Sequence, residues 1–244
     1  MSERMTPIPA AALLDWCVSE YEKKGTMFDI AQVYRKSSDK MLPIFGETIE
    51  TPFGPAAGPN TQLAQNIIAS YLAGARFFEL KTVQEMDGAE LAACIARPCI
   101  TAADECYNCE WSTELRVPDA MAEYIKAWVL LKFFAKHYGF GSPDGFVFNI
   151  SVGYNLADIK KEKTDTFING MRDASATEAF REAIAALKAR FPEESTYIDA
   201  IPARVCRSVT VSTLHGCPPQ EIEAIASYLL TEKHMHTFVK CNPT

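Results

Sequence analysis

The sequence lacks features that define several large classes of protein. It has no apolar run approaching the roughly 20 residues that a membrane-spanning helix needs. Its first residues, 1–7, contain no apolar secretory core. It also lacks an excess of positive charge, because 24 Lys and Arg residues stand against 31 Asp and Glu residues, and the net charge of -7 repels phosphate backbones. These absences predict a cytoplasmic protein that binds neither nucleic acid nor membrane.

Low-complexity tracts and short repeats are also missing. The 244 residues are 48% hydrophobic and 23% charged, which is ordinary for a globular protein and excludes disorder, collagen-like repeats and coiled coil as the main architecture. The eight cysteines, in a reducing compartment, are expected to be thiols or metal ligands rather than disulfides.

Strand and helix patterns alternate along the chain. After a hairpin at 41–53, strands are predicted at 76–82, 146–152, 208–212 and 236–241, and helices at 8–24, 60–72, 119–138, most of 156–200 and 219–233. This alternation predicts an α/β fold with a parallel sheet. The length only just suits a (β/α)8 TIM barrel, which takes about 250 residues.

The number of strands is too small for a closed barrel. Five are predicted when 53–57 is counted as the first, whereas a barrel needs about eight. We therefore expect a TIM barrel that is incomplete at its C-terminus, with an open sheet as the alternative. Residues 1–40 are predicted to form an N-terminal helical segment, and 41–244 the barrel portion, with a cysteine-rich insertion at 84–117.

Polar residues follow the predicted strands, at the end where the loops of a TIM barrel carry the active site. They are Lys81 and Thr82, Ser151 and Asn155, Ser212 and Thr213, and Lys240 and Asn242. Small residues at 54–58 would let a flat ring lie against the backbone, and a lysine at a strand end can tune a flavin that becomes anionic on reduction. The alternatives are a tight turn, solvent-facing lysines and strands that simply exit into polar loops.

The segment 212–219 is the densest reactive run. It contains hydroxyl groups, the imidazole of His215 and the thiol of Cys217. Cys217 precedes a predicted helix, whose dipole and free N–H groups are expected to lower the pKa of the thiol. One interpretation is that this run supplies a general acid or base, and the alternative is that it is a loop that caps the following helix.

A second cluster consists of four cysteines in one loop. They are Cys94, Cys99, Cys106 and Cys109. The last two have the spacing of metal ligands, but the spacing of the set matches neither common zinc nor ferredoxin patterns. Iron–sulfur or zinc ligation is one hypothesis, and a surface loop with incidental thiols is the alternative.

Four motifs in order resemble the flavin-binding barrel of the dihydroorotate and dihydropyrimidine dehydrogenase group. They are 51–58, 72–82, 148–155 and 239–243. The resemblance implies an FMN-linked oxidoreductase fold. One departure is that Thr210 and Thr213 stand where the pyrimidine enzymes place an asparagine and a cysteine or serine base, which puts pyrimidine oxidation in doubt.

The whole chain is also similar to the N-terminal part of the selenate reductase subunit family. Segments 61–66, 110–114 and 215–225 carry this resemblance. It implies a longer iron–sulfur flavoprotein, in which NADPH, FAD and [4Fe-4S] clusters supply electrons. The present chain would hold only the isoalloxazine half of the FMN site, because the phosphate is usually bound by loops after the last two barrel strands.

Together, these motifs imply a set of site residues. The expected flavin contacts are Ala56, Ala57, Gly58, Lys81, Thr82, Asn149 and Lys240. Asn155 and Asn242 are expected to bind a small-molecule substrate, and Thr213 or Cys217, with His215 as a further candidate, to transfer protons. The substrate stays open between selenate, a pyrimidine and another small oxidised molecule. The alternatives are a metal-binding module and a non-catalytic fragment that docks on a complementing chain or redox partner subunit.

Overall fold

A computed structural model of the chain describes residues 6–83, Glu90, 115–153, 155–212 and 217–241. The described α-helices are α1 (Ala10–Lys24), α2 (Ala64–Leu72), α3 (Val117–His137), α4 (Leu156–Ile159), α5 (Glu162–Arg172), α6 (Glu178–Arg190), α7 (Ser195–Asp199) and α8 (Pro219–Thr231). The described strands are β1 (Leu42–Ile44), β2 (Glu47–Ile49), β3 (Phe77–Glu79), β4 (Val147–Gly153), β5 (Cys206–Ser212) and β6 (His236–Lys240). The predicted helices and the strands at 146–152, 208–212 and 236–241 are confirmed with shifts at their ends, whereas the predicted strand at 76–82 is reduced to the three residues of β3.

Strands β3 to β6 form one parallel sheet in chain order. Helix α3 lies between β3 and β4 in the chain, α4 to α7 lie between β4 and β5, and α8 lies between β5 and β6. This repeated strand–helix unit with sequential strand order is the building unit of a TIM barrel. The predicted α/β fold with a parallel sheet is therefore confirmed.

The sheet is strongly curled. In a flat sheet the first and fourth strands would lie about 14 Å apart. Instead, the Phe77 ring of β3 lies 5.9 Å from the Phe238 ring of β6, and the Lys240 ammonium of β6 lies 3.2 Å from the Glu79 carboxylate of β3. Side chains from the two outer strands therefore meet across the concave face, as they do inside a barrel. The four strands do not close into a barrel within the described residues.

The convex face of the sheet is apolar and is covered by α3. Phe78 and Phe148 are fully buried there, with ring centroids 5.2 Å apart, and Trp128 of α3 lies 5.4 Å from Phe148. Helix α3 also packs against α2, α5 and α6, which explains why it is buried along nearly its whole length. No helix of the described part is long and apolar enough to cross a membrane.

The predicted first strand at 53–57 is not a regular strand. The segment does lie beside β3, because the carbonyls of Phe53 and Pro55 each accept a backbone N–H from β3 at 3.2 Å, from Phe77 and Glu79 respectively. Pro55 has no N–H to donate in return, so half of the hydrogen-bond ladder is missing. The close approach depends on Gly54, where a Cβ would lie only 1.6 Å from the Phe77 carbonyl oxygen.

The predicted hairpin is confirmed, but it is shorter than expected. Strands β1 and β2 pair antiparallel around Phe45 and Gly46, whose φ angles of +47° and +75° fit a two-residue turn. The second arm ends at Ile49 rather than extending to Phe53. The Phe45 ring stacks on His236, so the hairpin lies against the amino end of β6.

The N-terminal helix packs onto the rest of the fold. Helix α1 contacts α6, and Gly25 ends it in the left-handed conformation with an N–H donated to the Tyr21 carbonyl. The predicted boundary at residue 40 stays a prediction.

A buried ion pair fixes the amino end of β3. The Arg76 guanidinium is fully buried, and its Nε donates to Glu50 Oε2 at 2.5 Å. Its other nitrogens donate to the carbonyls of Tyr71, Ala75 and Phe140. The sequence analysis did not single out this pair.

Candidate functional site

The concave face of the sheet becomes polar towards the carboxyl ends of its strands. The strand register places Glu79, Asn149, Ser151, Thr210 and Lys240 on this face. Towards the amino ends the same face is lined by the aromatic rings of Phe77 and Phe238. We call the polar region the barrel mouth; it coincides with the end of a TIM barrel that carries active sites.

Asn149 lies in the barrel mouth with half of its amide unpaired. The side chain is fully buried, and its Nδ2 donates to Thr210 Oγ1 at 2.7 Å. Among the described residues, neither its Oδ1 nor the buried hydroxyl of Ser208 on β5 has a hydrogen-bond partner. A buried, unsatisfied polar atom costs about 1–3 kcal/mol, so these atoms call for a ligand or a bound water molecule.

Glu79 connects two strands and the small-residue loop. Its carboxylate accepts hydrogen bonds from Lys240 Nζ at 3.2 Å and from the Ala57 backbone N–H at 3.2 Å. Glu79 was not among the site residues predicted from the sequence, although a carboxylate in the middle of an apolar strand pattern was the available signal. The pair therefore places one positive and one negative charge in the mouth.

The two lysines of the mouth differ in exposure. Lys81 is only 3% exposed, so the alternative of a solvent-facing side chain is wrong for this residue. Its backbone carbonyl accepts a hydrogen bond from the Tyr124 hydroxyl of α3 at 3.1 Å. Next to it, the Thr82 hydroxyl lies 2.9 Å from the Ser151 hydroxyl of β4. Lys240 is partly exposed but is ion-paired.

The loop 56–58 forms a turn held by Thr61. The Gly58 N–H donates to Thr61 Oγ1 at 3.2 Å, and the same hydroxyl donates to the Gly58 carbonyl at 3.0 Å. Since the N–H of Ala57 is bonded to Glu79, both of these loop N–H groups already have partners. What the loop offers a ligand is therefore a small, flat surface, on which Ala56 is exposed.

Asn155 has a structural role that the sequence analysis did not anticipate. It is the N-cap of α4: its Oδ1 accepts the Asp158 N–H at 2.9 Å, and its Nδ2 donates to the Asp158 carboxylate at 2.7 Å. Both ends of the amide are thus occupied by the cap, and substrate binding by Asn155 stays a prediction.

The expectation for the pKa of Cys217 is wrong. Partial burial raises the pKa of the thiol above its ordinary value, and the nearby Glu221 carboxylate raises it further. The physical reason is visible in the sequence. The two residues that follow are Pro218 and Pro219, which have no N–H groups to stabilise a thiolate, and Glu221 places a negative charge in the first turn of α8.

This shift predicts slow alkylation of Cys217. Because the thiolate is the nucleophile, iodoacetamide is expected to modify Cys217 more slowly at pH 8 than it modifies a thiol of ordinary pKa. Replacing Glu221 by Gln removes the carboxylate charge but keeps the oxygen that accepts the Leu156 N–H at 2.5 Å. The variant E221Q should therefore react faster, by about two- to threefold. Peptide mass spectrometry measures the rate at Cys217, and an unchanged or slower rate would contradict the electrostatic cause.

Several predicted site residues lie outside the described residues. They are Thr213, His215, Asn242 and the cysteines at 94, 99, 106 and 109. Within the described ranges, no group of three or more His, Cys, Asp or Glu side chains is placed to hold a metal ion. The metal-site hypothesis therefore stays a prediction.

The curled parallel sheet and its polar mouth define the class of fold as part of a TIM barrel. Residues 28–244 match the family described as "Oxidoreductase YgfK, N-terminal TIM-barrel domain", and the chain belongs to that family. It is 46% identical over 262 aligned positions to "Putative oxidoreductase YgfK" of Escherichia coli, in strains K12 and O157:H7 alike. The match covers the whole chain but only 25% of each relative. No solved structure matches the chain.

Proposed function

We propose that this domain binds FMN at the barrel mouth and serves a flavin-dependent oxidoreductase. The observation that carries the proposal is the unpaired, fully buried Oδ1 of Asn149, which lies in a mouth that also contains Lys240. A flavin ring offers polar groups along one edge and an apolar plane elsewhere. An acceptor without a partner, a lysine and a small-residue loop are the chemical groups that such a ring requires.

Each residue has a separate part in the proposed site. Asn149 accepts a hydrogen bond from a ring N–H through its free oxygen. Lys240 and Lys81 supply positive charge near the ring, and Ala56 to Gly58 leave room for its plane. When bound, FMN supplies hydride or electron transfer at the ring. Glu79 acts as a positioning residue, because its carboxylate fixes the Lys240 ammonium and the Ala57 backbone together.

Proton transfer is assigned to the loop after β5. Thr213, Cys217 and His215 remain the candidates, and Asn242 and Asn155 remain candidates for substrate contact. The raised pKa of Cys217 disfavours the thiolate, which argues against a nucleophilic role for this residue.

The proposal extends to the larger protein. The chain spans about a quarter of the curated relatives it matches, and they are described only as oxidoreductases. We propose that such a protein is similar to a selenate reductase subunit. It would be a cytoplasmic enzyme in which NADPH, FAD and [4Fe-4S] clusters deliver electrons to this domain, with a small oxidised molecule as substrate.

The proposal predicts that FMN binding depends on Asn149. Replacing Asn149 by Leu keeps the side-chain size but removes the free acceptor, so the affinity of the full-length protein for FMN should fall at least tenfold. Flavin is released from the purified protein and separated by chromatography, which distinguishes FMN from FAD. Circular dichroism checks that the variant folds, and its FAD content serves as an internal reference.

Matched variants distinguish the effect of residues in the barrel mouth from that of residues on the surface. Lys240→Ala should also lower FMN content, whereas Lys23→Ala, an exposed lysine at the end of α1, should not. Asn169→Leu is the corresponding amide control on the exposed side of α5. If full-length protein contains no FMN, or if Asn149→Leu and Lys240→Ala retain it fully, the proposal is wrong.

A further inference from the structure

A cationic cavity lies at the opposite end of the sheet from the barrel mouth. Its volume is about 310 Å³, and it is lined by Arg172, Arg204, Arg207, His234 and His236. Arg172 ends α5, Arg204 and Arg207 flank the start of β5, and His236 begins β6. The buried Met235 forms part of its wall, and no acidic residue of the described chain is among those that line it.

The arginines of this cavity are poorly neutralised. Arg207 is 3.6 Å from Glu47 of the hairpin, whereas within the described residues neither Arg172 nor Arg204 makes an ion pair. Arg204 acts at longer range on two carboxylates, Glu47 and Asp173, and the Asp173 carboxylate accepts the Ser175 N–H. Two guanidinium groups without paired carboxylates therefore share one cavity in a protein whose net charge is -7. Such a cluster concentrates positive potential locally and attracts anions.

The fold fixes the ring of His236 and the backbone of His234. His236 stacks on the Phe45 ring, with centroids 4.7 Å apart and planes within 8° of parallel. His234 has a φ of +52° in the turn that ends α8, where the Met235 N–H returns to the Leu229 carbonyl at 3.0 Å. Glycine is the residue that this left-handed position favours, and a side chain there costs about 1 kcal/mol. This backbone position places the His234 side chain on the wall of the cavity beside the arginines.

We propose that this cavity binds the phosphate group of a small anion. Planar guanidinium groups match tetrahedral oxyanions with two hydrogen bonds each, and no carboxylate of the described residues forms an ion pair with Arg172 or Arg204. Imidazole N–H groups of His234 and His236 supply further donors. The cavity is large enough for a phosphate ion or for a phosphomonoester with a short organic part. This proposal does not rest on flavin binding.

Calorimetric titration of the full-length protein tests the proposal. Inorganic phosphate is the probe in one arm and glycerol 3-phosphate in the other, at constant ionic strength balanced with sodium chloride. The double variant Arg172→Gln/Arg204→Gln should weaken one saturable binding component at least tenfold. Comparison with this variant isolates the cavity from any other phosphate site. Tighter binding of the ester would identify a phosphomonoester as the occupant, and equal binding would identify free phosphate; both support the site.

A matched arginine elsewhere provides the control. Arg181 is exposed on α6 and donates only to a backbone carbonyl, so Arg181→Gln should leave phosphate binding within twofold of the unchanged protein. Thermal melting in chloride alone checks that the double variant is folded. If it is folded and binds phosphate and the ester as the unchanged protein does, or if neither probe binds saturably, the cavity is not a phosphate site.

Discussion

Replacing Arg76 by Ala is expected to lower the free energy of unfolding of this domain by about 3–5 kcal/mol. The substitution leaves the Glu50 carboxylate buried, with a side-chain exposure of 5%, and without its counter-ion. It also removes the donors to three backbone carbonyls and the cation that lies 3.8 Å from the centre of the Tyr71 ring. Hydrogen exchange of α3 peptides in the full-length protein measures the loss, because α3 is buried within this domain.

An exposed pair of the same residue types provides the comparison. Arg190 and Glu22 lie 2.7 Å apart, but their side chains are 37% and 54% exposed. Water and salt screen such a pair, so Arg190→Ala should cost at most about 1 kcal/mol. The double variant Glu50→Leu/Arg76→Met should recover part of the loss, since no charge is left buried, but three carbonyls stay unpaired. Equal effects of Arg76→Ala and Arg190→Ala would refute the role of burial.

Most elements of this fold were predictable because their signals are local. The α1 pattern ends at Gly25 and two lysines, and the buried strands β4 and β5 are short apolar runs between helical segments. The capping role of Asn155 was also available locally, because an asparagine three residues before an aspartate at the start of a helix is a common N-cap arrangement. The sequence also shows that two prolines follow Cys217. Prolines have no N–H groups, so the helix start cannot lower the pKa of the thiol as expected.

The centre of the candidate site was less predictable, because it depends on how strongly the sheet curls. Glu79 and Lys240 are 161 residues apart in the chain, and each belongs to a strand at an opposite edge of the described sheet. The linear pattern places Glu79 within one predicted strand and Lys240 near the end of another, but it does not determine whether the two side chains meet. Arg76 lies in the segment 72–82, whose resemblance to a known family is visible in the sequence. Its pairing with Glu50 is not, because that contact depends on where the end of the hairpin packs.

These contacts connect the stability of the domain to the proposed chemistry. The segment 53–57 has no full ladder with β3. Its position therefore depends on three backbone hydrogen bonds accepted by the carbonyls of Phe53 and Pro55, and on Glu79, which accepts the Ala57 N–H. The same carboxylate binds Lys240. A displacement of this segment would therefore move the loop and release the carboxylate that orients the lysine. Substitutions that displace the segment 53–57 should therefore lower both the affinity for flavin and the stability of the packing against β3.

Replacing Gly54 by Ala is expected to displace the segment beside β3. Its added Cβ would lie 1.6 Å from the Phe77 carbonyl oxygen and 2.6 Å from the carbonyl carbon, and backbone atoms in a strand cannot rotate away as a side chain can. We expect a loss of at least about 3 kcal/mol in unfolding free energy. Gly46→Ala is the matched control, because its φ is +75° but nothing lies within 4 Å of the added carbon, so it should cost only about 1 kcal/mol.

Hydrogen exchange of β3 peptides and FMN content are measured on the same full-length preparations. Faster exchange at β3 would follow from the clash alone, and an accompanying loss of FMN is expected if the loop at 56–58 contacts the flavin. If Gly54→Ala exchanges no faster at β3 than Gly46→Ala, this close packing does not hold the loop in place.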